Sequence, residues 1–508
     1  MAKPVFKKYS PNQAFLIPPS LDELIDVNHP VRIVNDVVDK IDLRLLERQY
    51  KGGGTSSYHP KMMLKIIVYS YLTNIYSSRK MEAALKENIH FMWLSGMNKP
   101  DHNTINSFRG HRLRTTLKDI FIQIVQLLAA EGLISLKEVY IDGTKIESAA
   151  NRYTFVWGNS INANREKIKK QIDELWEYAQ KVAAEELDEP EPPVFDKIDA
   201  QKVTETIEKI EAALKDKPVT KQVKQKLNYA KKNWPANLDR YEVQEQIMGE
   251  RNSYSKTDHE ATFMRMKEDH MLNGQLKPAY NVQISSSDQY IVDYSIHQSS
   301  TDTTTFISHL QEHKKQYEQH PEVVTADAGY GSEQNLQYLE DNTIEGYVKY
   351  SYFDKEQSSA YQDKHPFAPS RLHYNKEKDC YYCPMGQQMR NTGTFTKTTA
   401  TGFKQQVIKY QAVNCEGCPL NGVCHKSKGN RIIEVNFNLN RLKAMAYQNL
   451  TSEKGIAHRK KRPWDVESVF GNIKSNHGFR RFLLRGKKKV AIEIGLLAIA
   501  QNLRKKAA

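Results

Sequence analysis

An α/β core interrupted by insertions, behind an all-α N-terminal region, is the fold class this sequence predicts. Three observations carry it. Short apolar runs that read as strands alternate with helical patterns, and two of those runs lead into an acid followed by a small residue, at Asp142 and Asp327. The 508 residues are too many for one compact core, so about two to four domains are expected. Hydrophobic residues make up 39% and charged residues 26%, a soluble globular balance, and no apolar run reaches the roughly 20 residues a membrane helix needs. No apolar segment follows the lysines of Met1-Ala2-Lys3-Pro4-Val5-Phe6-Lys7-Lys8, so no secretory signal is expected, and the location expected is cytoplasmic, or cytoplasmic and nucleoid-associated.

Residues 1–132 are read as the helical N-terminal domain. Lys51-Gly52-Gly53-Gly54-Thr55-Ser56-Ser57 is a flexible break. Beyond it Met62, Ile66, Tyr69 and Leu72, then Phe121, Ile124, Val125 and Leu128, recur at helical spacing. Asp101 or Asn103 is placed to cap a helix carrying Ile105, Phe108 and the basic run Arg109, His111, Arg112 and Arg114. A compact helical unit with a basic helix suits DNA docking through Arg109 and Arg112, and equally suits plain dimerisation.

Residues 133–160 hold a first core strand around Val139–Ile146, ending in Asp142 and a turn. Residues 161–250 are rich in Glu, Lys and Gln and are broken by Glu189-Pro190-Glu191-Pro192-Pro193; they read as a charged helical insertion, a hairpin of long exposed helices. Residues 251–355 resume the core. Strands run through Tyr280–Ile284 and Tyr290–Ile296, a helix through Asp302–His313, a strand from Val323 into Asp327, and a helix through Glu333–Asp341.

All five cysteines fall in residues 356–435, as Cys380-Tyr381-Tyr382-Cys383, Cys415-Glu416-Gly417-Cys418 and Cys424. Two C-x2-C pairs in a chain with no secretory signal read as a zinc ribbon bound by Cys380, Cys383, Cys415 and Cys418, with Cys424 able to replace one ligand. The alternative is a metal-free β insertion with reduced thiols.

Residues 436–508 carry the charge. From Thr451 onward fifteen Lys/Arg face four acids, a net +11 out of +14 for the whole chain. Such a surface favours a polyanion, most simply nucleic acid, although a basic surface also aids solubility. Within it lies Glu467, with Lys474 two helical turns on. Phosphodiester chemistry can use two divalent metals held by a few hard carboxylate oxygens. Asp142, Asp327 and Glu467 are the candidates for Mg²⁺ or Mn²⁺, and Lys474 for a substrate phosphate. Locally, an Asp before Gly is often a turn residue, and Glu467 is also placed to pair with Arg462 or Lys474.

Taken together these segments resemble the DDE transposases of bacterial insertion sequences. The resemblance lies in Pro100–Arg109, Ile141-Asp142-Gly143-Thr144-Lys145, Asp327-Ala328-Gly329-Tyr330-Gly331-Ser332, and Val466–Lys474 with Gly478-Phe479-Arg480-Arg481-Phe482. It implies a ribonuclease-H-like core with a mixed sheet, with Asp142, Asp327 and Glu467 as a triad for two Mg²⁺ or Mn²⁺ ions. It also implies DNA contacts from Lys474, Arg462, Arg480 and Arg481. The implied partners are terminal inverted repeats and target DNA, engaged by a homodimer. The implied reaction is hydrolysis at the element ends followed by strand transfer. Other readings are a DNA-binding protein derived from a transposase, or a nuclease without strand transfer. The family often places a Tyr and an Arg at set offsets before its Glu; here the position four before Glu467 is Pro463, with Arg462 beside it, so Arg459 and Arg462 are the candidates for the Arg.

Overall fold

The computed structural model describes residues 19–50, 56–187, 195, 197–266 and 274–508. The first eight residues, positions 51–55 of the expected flexible break and the Glu189–Pro193 break lie outside the described residues.

The central sheet is mixed. Its strands are β1 (Glu138–Glu147), β4 (Thr262–Arg265), β5 (Leu276–Ser287), β6 (Tyr290–His297), β7 (Val323–Gly331) and β8 (Glu345–Tyr350), once β2 (Phe155–Trp157) and β3 (Ser253–Ser255) are set aside as a separate pair. β6, β5 and β1 form an antiparallel meander, and β7 and β8 then run parallel to β1. This is the ribonuclease-H-like arrangement. β1, β6 and β7 are rich in Val, Ile, Tyr and Thr, which favour a pleated, packed surface. The β5–β6 hairpin turns through Asp288 and Gln289, both at positive φ, as a tight two-residue hairpin demands.

β1 does not end at Asp142. It continues through Gly143, Thr144 and Lys145, which pair with Gln283, Val282 and Asn281 of β5. The glycine serves close approach instead of a turn: a Cβ at Gly143 would stand 2.2 Å from Gln283 Nε2 and 2.7 Å from Asp302 Oδ1.

The N-terminal helices, including Pro60–Leu72, His102–His111 and Leu117–Ala130, share one continuous hydrophobic core with this sheet. Asp101 caps His102–His111 by accepting from Thr104 N–H at 2.7 Å. The C-terminal helix Lys487–Ala507 is buried from Val490 to Leu503 apart from the half-buried Ala491, and packs between those helices and β6.

The charged insertion is more than a solvated hairpin. Gly158–Ala183, Ala200–Ala213 and Lys221–Met248 enclose their own core, with Trp176, Ile207 and Trp234 buried, and the β2–β3 pair closes its base. The cysteine region folds as a five-stranded antiparallel sheet of β9 (Tyr374–Asn375), β10 (Cys380–Tyr382), β11 (Gln388–Thr398), β12 (Lys404–Ala412) and β13 (Ile432–Val435). Among the described residues no helix is long and apolar enough to cross a membrane.

Candidate active site

Register places two of the acids. β1 and β7 pair in parallel with Tyr140 opposite Thr325. Asp142 and Asp327 each lie two residues further along, so they stand side by side on the same face of adjacent strands. There β7 loses its pairing to β8 between Ala326 and Gly331, which opens a crevice beside Asp327. The Asp142 side chain is 9% exposed and that of Asp327 42%.

Glu467 comes from the other side. The helix Glu453–Arg462 widens into a π-helical turn at Pro463–Glu467, closed by Ser468 N–H donating to Pro463 O. Asp465, inside this turn, is fully buried and fixes its position. It accepts from Ser286 Oγ at 2.6 Å, Asp288 N–H at 2.8 Å and Gln289 N–H at 3.2 Å, so the turn is tied to the β5–β6 hairpin. Burial raises the Asp465 carboxyl above its ordinary pKa, and these bonds oppose that.

Asp142, Asp327, Glu467 and Lys474 line one cleft of about 300 Å³, together with Gly143 and Arg462. Arg462 is at its centre. Its Nη1 donates to Glu467 Oε1 at 2.8 Å, and Nη2 stands 3.2 Å from Asp142 Oδ1 and 3.8 Å from Asp327 Oδ2. The three acids therefore converge on a single positive group. Hard oxygen donors gathered at an open crevice and drawing in a cation fit Mg²⁺ or Mn²⁺. Among the described residues, no group of three or more His, Cys, Asp or Glu side chains is placed to hold a metal ion as the structure stands.

A fourth carboxylate stands behind the first two and was missed from sequence. Asp302, half-buried, accepts from Asn281 Nδ2 at 2.8 Å and Gln283 Nε2 at 3.0 Å. Tyr330 Oη donates to Gln283 Oε1 at 2.5 Å, and burial followed by the charges of Asp302, Asp142 and Asp327 pushes its phenol pKa well up. The only sequence signal for Asp302 was an acid in a Ser/Thr-rich stretch. The helix expected to begin there starts at Phe306.

Several expected DNA contacts are otherwise engaged. Arg109 is buried, its guanidinium donating to Tyr71 Oη, Tyr76 O and Asn106 Oδ1, because it faces the C-terminal helix and not solvent. Arg112 is half-buried, bonded to Gln49 O and lying over the Tyr50 ring. Arg481 donates to Ser148 O and Ala150 O, pinning the C-terminal segment to the end of β1. Arg462 belongs to the acid cluster. Arg480 is exposed, with Nε donating to Lys474 O at 3.4 Å, and Lys474 is buried at the cleft wall. Of the upstream alternatives, Arg459 stacks over Phe353.

The cysteine set also changes. Cys380 is buried within β10, and strand geometry turns it to the face opposite Tyr381. Cys383, Cys415, Cys418 and Cys424 instead share one pocket. A C-x2-C pair binds a metal when it spans a turn; Cys380–Cys383 spans a strand.

Comparison with known families meets this geometry. A family model described as a transposase DDE domain matches residues 382–507, and one described as a transposase domain (DUF772) matches residues 19–111. Both matches support a DDE-type insertion-sequence transposase. The DDE-domain match contains Arg462, Glu467 and Lys474, whereas Asp142 and Asp327 lie upstream of it. No curated protein and no solved structure matches the chain. The family implies DNA as the partner of this transposase.

Proposed function

We propose that this transposase cleaves DNA at the ends of its insertion sequence and joins the freed 3′-hydroxyls to target DNA, using Asp142, Asp327 and Glu467 to hold two Mg²⁺ or Mn²⁺ ions. The supporting observation is the convergence of these three carboxylates on one cleft around Arg462. Bound metal supplies Lewis acidity to the attacking and leaving oxygens of the phosphodiester. Asp142 and Asp327 are held by parallel strands, which keeps the spacing of their oxygens fixed during reaction. Glu467 is the most exposed of the three and completes the set from the opposite wall. Lys474, at the same wall, holds a non-bridging phosphate oxygen as a point charge. Arg480 and Lys460, both exposed, extend the positive surface beside the cleft. Two DNA ends must be processed together, which a homodimer accomplishes.

The test is cleavage and joining of labelled DNA carrying the repeats that flank the gene. Expected are nicked and joined products that require Mg²⁺ or Mn²⁺ and vanish in Asp327→Ala and Glu467→Gln. Full cleavage by Asp327→Ala would remove the triad assignment. Cleavage without joined products would favour a nuclease, and DNA binding without cleavage a DNA-binding derivative.

A further inference from the structure

We infer that Cys383, Cys415, Cys418 and Cys424 form a structural site for a single zinc ion that staples the β insertion, with Cys380 outside it. The inference is independent of the chemistry proposed for the acid cleft.

The first observation is convergence. The four cysteines come from three separate turns and line one cavity of about 20 Å³, room for roughly one water-sized sphere. No three of these side chains are yet grouped to hold an ion among the described residues, so binding one ion would draw the three turns together. All five cysteines are free thiols, and four thiolates around one soft divalent cation is the usual closed zinc set.

The second is turn geometry. Cys383 O accepts from Gly386 N–H at 2.9 Å, and Cys415 O accepts from Cys418 N–H at 3.4 Å. Gly386 and Gly417 take positive φ, so each turn folds back tightly, and the cysteines of both turns line the same cavity.

The third is the surrounding shell. Arg431 N–H donates to Cys415 Sγ at 3.3 Å, and Arg431 Nη1 donates to Cys424 Sγ at 2.8 Å. Arg431 is 4% exposed, and no carboxylate pairs with it among the described ion pairs. A buried guanidinium needs compensating negative charge. A zinc ion with four thiolates carries two net negative charges, each thiol having given up its proton on binding, and Arg431 is placed to offset one of them.

The fourth is the size of the core. The β insertion buries only six hydrophobic residues in its own cluster, among them Tyr381, Met389 and Tyr410, and has no disulfide. A unit with so little buried apolar surface ordinarily relies on a metal or a cross-link.

The test uses full-length protein purified under reducing conditions without added metal. Elemental analysis is expected to give about one zinc per chain in the wild type and in Cys380→Ser, and Cys424→Ser is expected to lose it. Arg431→Gln is expected to weaken zinc retention against a chelator roughly 10- to 100-fold. Cobalt substitution of the wild type reads the ligand set without any variant; intense visible bands and sulfur-to-cobalt charge transfer are expected from a tetrahedral thiolate site. A folded wild type free of zinc overturns the inference. So does zinc loss in Cys380→Ser with retention in Cys424→Ser, or a cobalt spectrum lacking thiolate character.

Discussion

Arg462 Nη1 donates to Glu467 Oε1 at 2.8 Å across a separation of five residues. A regular helix would turn residues five apart away from each other. The π-helical turn Pro463–Glu467 absorbs the extra residue and returns Arg462 to the face of Glu467. The same guanidinium reaches Asp142 and Asp327, so one residue compensates acids contributed by two strands and a helix.

Arg462→Met leaves three neighbouring carboxylates without that cation. Because Asp327 and Glu467 are substantially exposed and only Asp142 is enclosed with Arg462, removing this partner costs on the order of 1 kcal/mol, about 1 °C of Tm in a chain of this size in a metal-free melt. Mg²⁺ then has more to neutralise in the variant than in the wild type. The expected result is a larger Mg²⁺-induced rise in Tm for Arg462→Met, read by differential scanning fluorimetry with and without the ion. Equal rises in the two proteins would show that Arg462 does not compensate the acids.

Gly143→Ala is expected to abolish cleavage while the protein stays folded. The new methyl would collide with Gln283 Nε2 and Asp302 Oδ1, and Gln283 is fully buried and held by Asn281, Asp302 and Tyr330. With no room to swing aside, Gln283 must push β5 from β1 at the position adjoining Asp142. Cleavage at wild-type rate by Gly143→Ala would mean that this contact has slack.

Asp302→Ala separates positioning from folding. Asn281 Nδ2 and Gln283 Nε2 both donate to the one oxygen Asp302 Oδ1, so removing the carboxylate takes away the common anchor of the two side chains behind Asp142. Because Asp302 is half-buried, the expected change in Tm is small, while cleavage falls about 10-fold or more through misplacement of the acids. A loss rescued by raised Mg²⁺ would place the defect in metal affinity. Unchanged cleavage at every Mg²⁺ concentration would remove Asp302 from the site.

What was legible in the sequence was local. A β-branched run leading into Asp142, another into Asp327, and Glu467 seven residues before Lys474 are patterns within single elements, and all four residues line the cleft. What was not legible depends on tertiary packing. Arg109 looks like a basic helix face because sequence does not say which helix covers it; Lys487–Ala507, almost four hundred residues on, does. Cys380 and Cys383 have the spacing of a zinc knuckle, and spacing alone does not reveal that β10 makes Cys380–Tyr382 extended. The three-helix core was hidden because Trp176, Ile207 and Trp234 are sparse among Glu and Lys. Asp302 acquires meaning only when β5 places Asn281 and Gln283 beside it.

Glu493 gives the fold a pH dependence whose sign can be fixed. Burial drives its carboxyl up to about 7, against the opposing pull of the Leu484 and Leu483 amides, of Arg109 and of Tyr71. Its unfolded value lies near 4.3, so between about 4.3 and 7 the folded chain keeps a proton that the unfolded chain has released. Stability from this group is full below the unfolded value and is lost as pH rises through the folded one, on the order of 3 kcal/mol across the window. Two histidines act oppositely. Desolvation lowers the buried His309 and the half-buried His477 to about 4, so their contribution is lost as pH falls. Comparing Glu493→Gln with wild type cancels the histidines, and the amide retains an oxygen for the Leu483 and Leu484 N–H groups. The difference in Tm, variant minus wild type, is expected to grow steadily from pH 5 to pH 7.5 and then level. A difference that stays constant across that range would mean that Glu493 is ionised in the folded protein throughout, with Arg109 outweighing its burial.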